Sequence, residues 1–153
     1  MPIFGGDDRI FAKYKNMMQS DLFQPKTTES ALPAIDGLCY LPDFISVTEE
    51  QALLSHIDQQ MWLTDLKRRV QHYGWRYDYQ ARKVNASMRL ASLPDWLSPL
   101  CQRLRDEGYF SKMPDQVIVN EYLPGQGISA HIDCIPCFGE TIASLSLESH
   151  CIM

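Results

Sequence analysis

Hydrophobic and polar positions change rhythm once along this chain. Up to about residue 108 the apolar residues recur at helical intervals, and from Asp115 they alternate or cluster as strands do. At the front, Ile10, Phe11, Tyr14, Met17 and Met18 have a loose helical spacing that predicts a short helix at most, and the polar run 26–30 reads as linker. Residues 1–36 are therefore an N-terminal extension, with the domain at 37–153. Leu38-Cys39-Tyr40-Leu41, closed by Pro42, predicts a strand. Ser46-Val47-Thr48-Glu49 spells a capping box, and Leu53, Leu54, Ile57 and Met61 follow at helical spacing, so a helix is expected over about 47–60. The aromatic, basic stretch 70–79 reads as extended or loop-like. Pro94 and Pro99 bracket a turn and start a second helix, with Leu100, Cys101 and Leu104 inward and Gly108 at its end.

The rear part predicts strands. Val117-Ile118-Val119 leads into Asn120-Glu121-Tyr122, Pro124-Gly125-Gln126-Gly127 is a turn, and 128–133 alternates like a returning strand. Pro136 and Gly139 mark another turn. A last strand is expected over 142–153, with Leu145 and Leu147 on one face and Ser144, Ser146, Glu148 and His150 on the other. Helices in front and strands behind make the fold class α+β.

Composition narrows the setting. At 153 residues, with 45% hydrophobic and 22% charged positions, the chain suits one globular domain. No apolar run approaches the roughly 20 residues that span a bilayer, so no membrane partner is expected. The first residues have neither a basic start nor an apolar core, and the five cysteines are odd in number, so free thiols and a cytoplasmic location are expected. Cys134-x-x-Cys137 lacks a second pair to complete a zinc site and reads as two thiols in a turn. The net charge of −5 argues against a nonspecific nucleic-acid binder. Yet 67–89 holds Lys67, Arg68, Arg69, Arg76, Arg82, Lys83 and Arg89 against Asp78 alone, a local +6 on a body that carries −11.

The sharpest constellation is His131-x-Asp133. On a strand, residues two apart share a face, so an imidazole and a carboxylate can meet one cation; they are two thirds of the facial triad of non-haem Fe(II) oxygenases. The same pair also suits an ordinary polar strand face. Gly125-x-Gly127 imitates a dinucleotide fingerprint but lacks the helix that must follow.

The ordered set Asn120-x-Tyr122, Pro124-Gly125-x-Gly127-Ile128, His131-x-Asp133, Phe138-Gly139 and Ser144-Leu145-Ser146-Leu147 resembles the AlkB family of Fe(II)- and 2-oxoglutarate-dependent dioxygenases. Gly37-Leu38-x-Tyr40, Phe44-Ile45, Glu49-Glu50 and Trp62 look like that family's opening, and the resemblance spans about 37–153. It implies a helical part packed on a double-stranded β-helix (jelly-roll). It implies His131 and Asp133 as the first two iron ligands, and Asn120 and Tyr122 as contacts to 2-oxoglutarate. The run from Arg69 to Trp75 looks like the segment that covers the substrate, with Arg69, Tyr73 and Trp75 as candidate contacts to a nucleic acid, single-stranded or presenting a flipped base. Tyr77 and Tyr79 are expected to be structural. The implied activity is oxidative dealkylation or hydroxylation of nucleic-acid bases, with a protein substrate as one alternative.

The family also uses a second metal histidine and a 2-oxoglutarate arginine on later strands. Only 20 residues follow Asp133, His150 is the sole histidine among them, and no arginine occurs beyond Arg105. The expectation is the N-terminal two thirds of such a domain, with an incomplete jelly-roll, open hydrogen-bonding edges and, as a further alternative, no activity.

Overall fold

In the computed structural model, which describes residues 12–14, 36–135 and 137–149, the strongest local signal becomes α1, Val47–Asp58. The capping box closes as the residues require. Ser46 Oγ accepts from the Glu49 amide at 3.3 Å, and the Glu49 carboxylate accepts from the Ser46 amide and hydroxyl, both at 2.8 Å. The same carboxylate takes a hydrogen bond from Arg103, whose other terminal nitrogen donates to the Phe44 carbonyl at 2.8 Å. Arg103 lies on α2, Ser98–Asp106, which follows a 3₁₀ turn at Asp95–Leu97, carries Pro99 in its first turn and ends before Gly108 at φ 81°. One carboxylate thus starts the first helix and ties it to the second.

Four strands form one sheet: β1, Ala12–Tyr14; β2, Arg69–Tyr73; β3, Val117–Tyr122; and β4, Ser146–Leu147, in the order β2-β3-β1-β4. β2 and β3 pair antiparallel with Arg69 opposite Glu121, Val70 opposite Asn120, Gln71 opposite Val119 and Tyr73 opposite Val117. β1 runs parallel to both β3 and β4. Opposed residues share a face, so Val117 and Val119 turn to the helices and join Leu53, Ile57, Leu97, Leu100, Cys101, Leu104, Phe110 and Leu147 in the core. Tyr73 packs against the same cluster, edge-on to Trp96. Gln71, 3% exposed, is the polar clasp on this face: its amide nitrogen donates to the Ile57 carbonyl at 2.9 Å and its oxygen accepts from Tyr73 Oη at 2.8 Å. A buried amide satisfied at both ends holds β2 to the end of α1.

Several expectations change. The strand expected at 38–41 is irregular; Leu38 and Tyr40 are exposed, and among the described residues no strand pairs with them. Ala12–Tyr14, expected in a helical segment, form a strand because the free side of β3 offers it hydrogen-bond partners. That side of β3 is consequently paired and not an open edge. The returning strand expected at 128–133 is also irregular: Ile128 and Ile132 are both exposed, so its alternation has no apolar face to bury, and the place beside β3 belongs to β1. Of the expected last strand only β4 is regular, although inward Ala143, Leu145 and Leu147 keep the alternation against outward Ser144 and Ser146. His150, with the rest of 150–153, Pro136, 1–11 and 15–35, lies outside the described residues. The mixed helix-and-strand class stands as expected. The second sheet of a double-stranded β-helix is not among the described residues, whose strands make a single sheet.

The Ser46 amide and hydroxyl, followed by Arg103, hold the Glu49 carboxyl down from 4.5 to about 2. A carboxylate depressed in the folded state stabilises it fully above pH about 4.5 and loses that contribution as pH falls toward 2. Circular dichroism of acid unfolding is expected to show stability falling through this window, and Glu49→Gln to flatten that slope while lowering stability at neutral pH. An unchanged slope in the variant would break the assignment.

Candidate metal and co-substrate site

The face of the β2–β3 pair turned away from the helices carries Val70, His72, Ile118, Asn120 and Tyr122. Arg68, just ahead of β2, joins them: its Nε donates to Asn120 Oδ1 at 2.7 Å, and its guanidinium lies 5.7 Å from the ring centres of both Tyr122 and Tyr79. A chain of rings then leads away from the sheet, from His72 to Tyr79 at 5.6 Å, Tyr79 to Tyr77 at 5.0 Å and Tyr77 to Phe138 at 5.4 Å. Tyr77 is buried, as its structural reading expects.

The last of those rings, Phe138, belongs to the loop that carries His131 and Asp133. Arg82, at φ 49° in the turn after Tyr79, donates to the Ile132 carbonyl at 2.8 Å, and its own carbonyl lies 3.2 Å from Cys134 Sγ. Asp78 shapes that turn by accepting from the Gln80 and Ala81 amides at 2.9 and 2.8 Å. The 130s loop is therefore fastened at 132, next to Asp133.

His131 Nε2 stands 3.6 Å from Asp133 Oδ1, and His131 Nδ1 stands 2.8 Å from the Ser129 carbonyl. The carbonyl can only accept, so Nδ1 carries a proton, and in the neutral ring Nε2 is then the nitrogen left to ligate. This is the tautomer a metal-ligating imidazole needs, oriented by the kind of backbone partner such ligands use. Two donors about 2.1 Å from one cation lie roughly 3.0–3.5 Å apart, so the pair is poised to share one after a small adjustment. The donor set, one nitrogen and one carboxylate oxygen, fits a non-haem iron. Among the described residues no group of three His, Cys, Asp or Glu side chains gathers as a metal cluster.

The structure separates the other candidate residues. Asn120 and Tyr122 share the site face, as their spacing predicts. Arg69 and Tyr73 fall on the helix face. Arg69 Nε and Nη2 both bond Glu121 at 2.6 Å, its guanidinium lies over Trp62, and the pairing raises its pKa. Burial pushes the Tyr73 hydroxyl up to about 12. Trp75 lies past the end of β2, where its indole nitrogen donates to Asp115 at 3.1 Å and Arg89 covers its ring. It lines a cavity of about 260 Å³ with Arg89, Leu93, Ser98, Met113 and Asp115. Arg68, which the sequence shows only as one of the basic residues of 67–89, stands on the same face as Asn120 and Tyr122. The signal that selects it is parity, since residues 68 and 69 exchange faces with the strand register.

The expectation of free thiols fails at one pair. Cys134 and Cys137 are joined by a disulfide, their Cα atoms 5.2 Å apart. The turn brings them together through the Cys137 amide and the Cys134 carbonyl at 2.8 Å, a proximity that spacing alone leaves open. Cys39 and Cys101 are free, the latter buried with its pKa pushed up to about 11 by that burial.

A family model described as the 2OG-Fe(II) oxygenase superfamily matches residues 37–153. The chain is 46% identical over 124 residues to the alkylated DNA repair protein ALKBH8 homolog of Arabidopsis thaliana, which covers 78% of this chain and 36% of that protein. It is 38% identical over 131 residues to the tRNA (carboxymethyluridine(34)-5-O)-methyltransferase ALKBH8 of Mus musculus, covering 80% of this chain and 19% of that protein. To the probable RNA/DNA demethylase ALKBH6 of Danio rerio it is 33% identical over 118 residues, 74% of this chain and 47% of that protein. The chain thus spans about a third of the plant relative's length and a fifth of the mouse one's.

Gly74 separates Tyr73, on the helix face, from Trp75. Its φ is +76°, and a Cβ there would stand 1.8 Å from the Asp115 backbone oxygen. Gly74→Ala is expected to cost about 2–4 kcal/mol through backbone strain and overpacking. Urea unfolding checks this, and a loss below about 1 kcal/mol would show that the 115 segment yields freely.

Proposed function

The chain belongs to the AlkB family of the 2OG-Fe(II) oxygenase superfamily, and from that premise we propose that it hydroxylates or oxidatively dealkylates a nucleic-acid base, using Fe(II) and 2-oxoglutarate. The observation that carries the reading is the His131–Asp133 pair, with Nδ1 anchored on the Ser129 carbonyl and Nε2 directed at the carboxylate. When bound, Fe(II) and 2-oxoglutarate together supply the activation of dioxygen needed to oxidise a C–H bond.

This chain's residues have separate tasks in that reading. His131 Nε2 and the Asp133 carboxylate hold the cation. The Ser129 carbonyl keeps the Nδ1 proton and with it the ring's orientation. Asn120 and Tyr122, an amide and a phenol two apart on one strand face, bind the dicarboxylate. The rings of His72, Tyr77, Tyr79 and Phe138 wall the region and limit water.

A nucleic-acid substrate is supported by the local +6 of 67–89 and by the DNA, RNA and tRNA in the relatives' names. Arg76, its side chain 57% exposed beside Asp65 at 3.5 Å, is the arginine of this segment best placed to reach a phosphate. Methyl transfer is not carried over from the mouse relative's name, because the chain covers only 19% of that protein and matches the oxygenase model.

Anaerobic titration of the chain with Fe(II) in the presence of 2-oxoglutarate tests the reading. A saturable metal-to-ligand charge-transfer band is expected, and His131→Ala or Asp133→Ala should abolish it while the fold survives. Folded protein that develops no band would overturn the proposal.

A further inference from the structure

Two cysteines of the 130s loop are joined where a bridge does little for the fold as a whole. Cys134 and Cys137 are three apart in sequence, with their Cα atoms 5.2 Å apart. A disulfide stabilises mainly by restricting the unfolded chain, and the gain grows with the length of loop it closes. A loop this short lies at the bottom of that scale, and its turn is already closed by the hydrogen bond from the Cys137 amide to the Cys134 carbonyl at 2.8 Å. The reach of the bridge is therefore local. Both cysteines are only partly buried, and Ile135 between them is exposed, so the turn faces solvent. One backbone group attends both sulfurs: the Arg82 carbonyl oxygen lies 3.2 Å from Cys134 Sγ and 3.8 Å from Cys137 Sγ. A disulfide has no proton to give that oxygen, whereas a thiol has. The fold thus places an acceptor where reduction would create donors, and stabilising the dithiol form makes a bridge easier to reduce.

We propose that Cys134 and Cys137 form a redox-active pair that exchanges with a low-molecular-weight thiol, and that the bridged state holds the backbone of Asp133 for its cation. The exchange balances without a metal. A thiolate of the small molecule attacks one sulfur of the bridge, forming a mixed disulfide and releasing the other cysteine as a thiolate, which takes up the proton the small thiol lost. A second small thiolate attacks the small molecule's own sulfur in that mixed disulfide and releases the remaining cysteine, which is protonated in the same way. In sum the bridge gains two electrons and two protons, and two small thiols become one small disulfide. The small disulfide runs the same steps backwards. The coupling to Asp133 rests on the metal reading above. Asp133 shares a peptide bond with Cys134, and Arg82 already holds the Ile132 carbonyl on its other side. The bridge is then the constraint on the C-terminal side of Asp133, and reduction removes it.

The full chain, free of metal, is equilibrated in glutathione buffers running from oxidised to reduced, quenched by alkylation and mapped by peptide mass spectrometry. Cys134 and Cys137 are expected to open together at an intermediate ratio, with a glutathione adduct on one of them along the way. A purely structural bridge stays closed across such a series. That result, thiols that stay open at every ratio, or a bridge from either residue to a third cysteine would overturn the exchange site. Mn(II) binding is then followed by electron paramagnetic resonance on the oxidised and the reduced chain, each freed of glutathione. Reduction is expected to weaken Mn(II) about five- to thirty-fold, the range for ordering the backbone of one residue. The double variant Cys134→Ser, Cys137→Ser should match the reduced chain under both conditions, and the wild-type comparison decides the matter if that variant does not fold. Equal or tighter binding after reduction would overturn the coupling to Asp133. Exchange without Mn(II) binding in either form would overturn the metal reading and the coupling together, and leave the exchange site standing.

Discussion

The face that carries Asn120 and Tyr122 follows from the register of one antiparallel ladder, between β2 and β3. Side chains alternate along a strand, so pairing Val70 with Asn120 decides which residues meet the helices and which meet a ligand. A slip by one residue would exchange Gln71 for His72 and Arg69 for Arg68. Two contacts on the helix face oppose that slip. Gln71 is fully satisfied only where it reaches both the end of α1 and Tyr73, and leaving a buried amide unsatisfied costs about 1–3 kcal/mol. Glu121, 3% exposed, finds its counter-charge, among the described residues, in Arg69 across the ladder. Hydrogen bonds that never touch a ligand therefore aim the residues that do.

Elements with a local cause were legible in the sequence. The capping box, Pro99 and Gly108 act within a few residues of themselves, and the helices they bound lie close to where the sequence puts them. β3 was legible because a run of three β-branched residues suits a strand buried on both faces. The failures share one physical origin: a strand exists through its partner. Leu38–Leu41 and 128–133 carry strand composition but have no strand neighbour among the described residues, whereas Ala12–Tyr14 carries little and has one on either side. The choice between Arg68 and Arg69, or between His72 and Tyr73, was out of reach for the same reason, because parity belongs to the pairing and not to either strand.

His131 and Asp133 show how a motif can be readable when its carrier is not. Their approach was expected from strand geometry, yet the segment is irregular. What sets the pair is local, the Ser129 carbonyl two residues back on Nδ1, together with the anchoring of 132 to Arg82. A two-residue spacing brings the side chains together in either case, so the chemistry of the pair did not depend on the secondary structure assigned to it. The disulfide at 134 and 137 lies in the same turn and is a product of that turn's closure.

The basic segment changes meaning once its charges are followed individually. A run of +6 suggests a phosphate-binding stripe, but most of it is spent inside the molecule. Arg69 is neutralised by Glu121, Arg82 is bound to a backbone carbonyl, Arg89 lies on Trp75 and Arg76 is shared with Asp65. The sorting follows the faces of the sheet. On the helix face Arg69 meets the buried Glu121 carboxylate, an ion that would cost several kcal/mol uncompensated. On the other face Arg68 lies beside an amide and two phenols, and among the described residues it has no acid partner, so the same ladder that gives its neighbour a carboxylate gives Arg68 an amide oxygen and two rings.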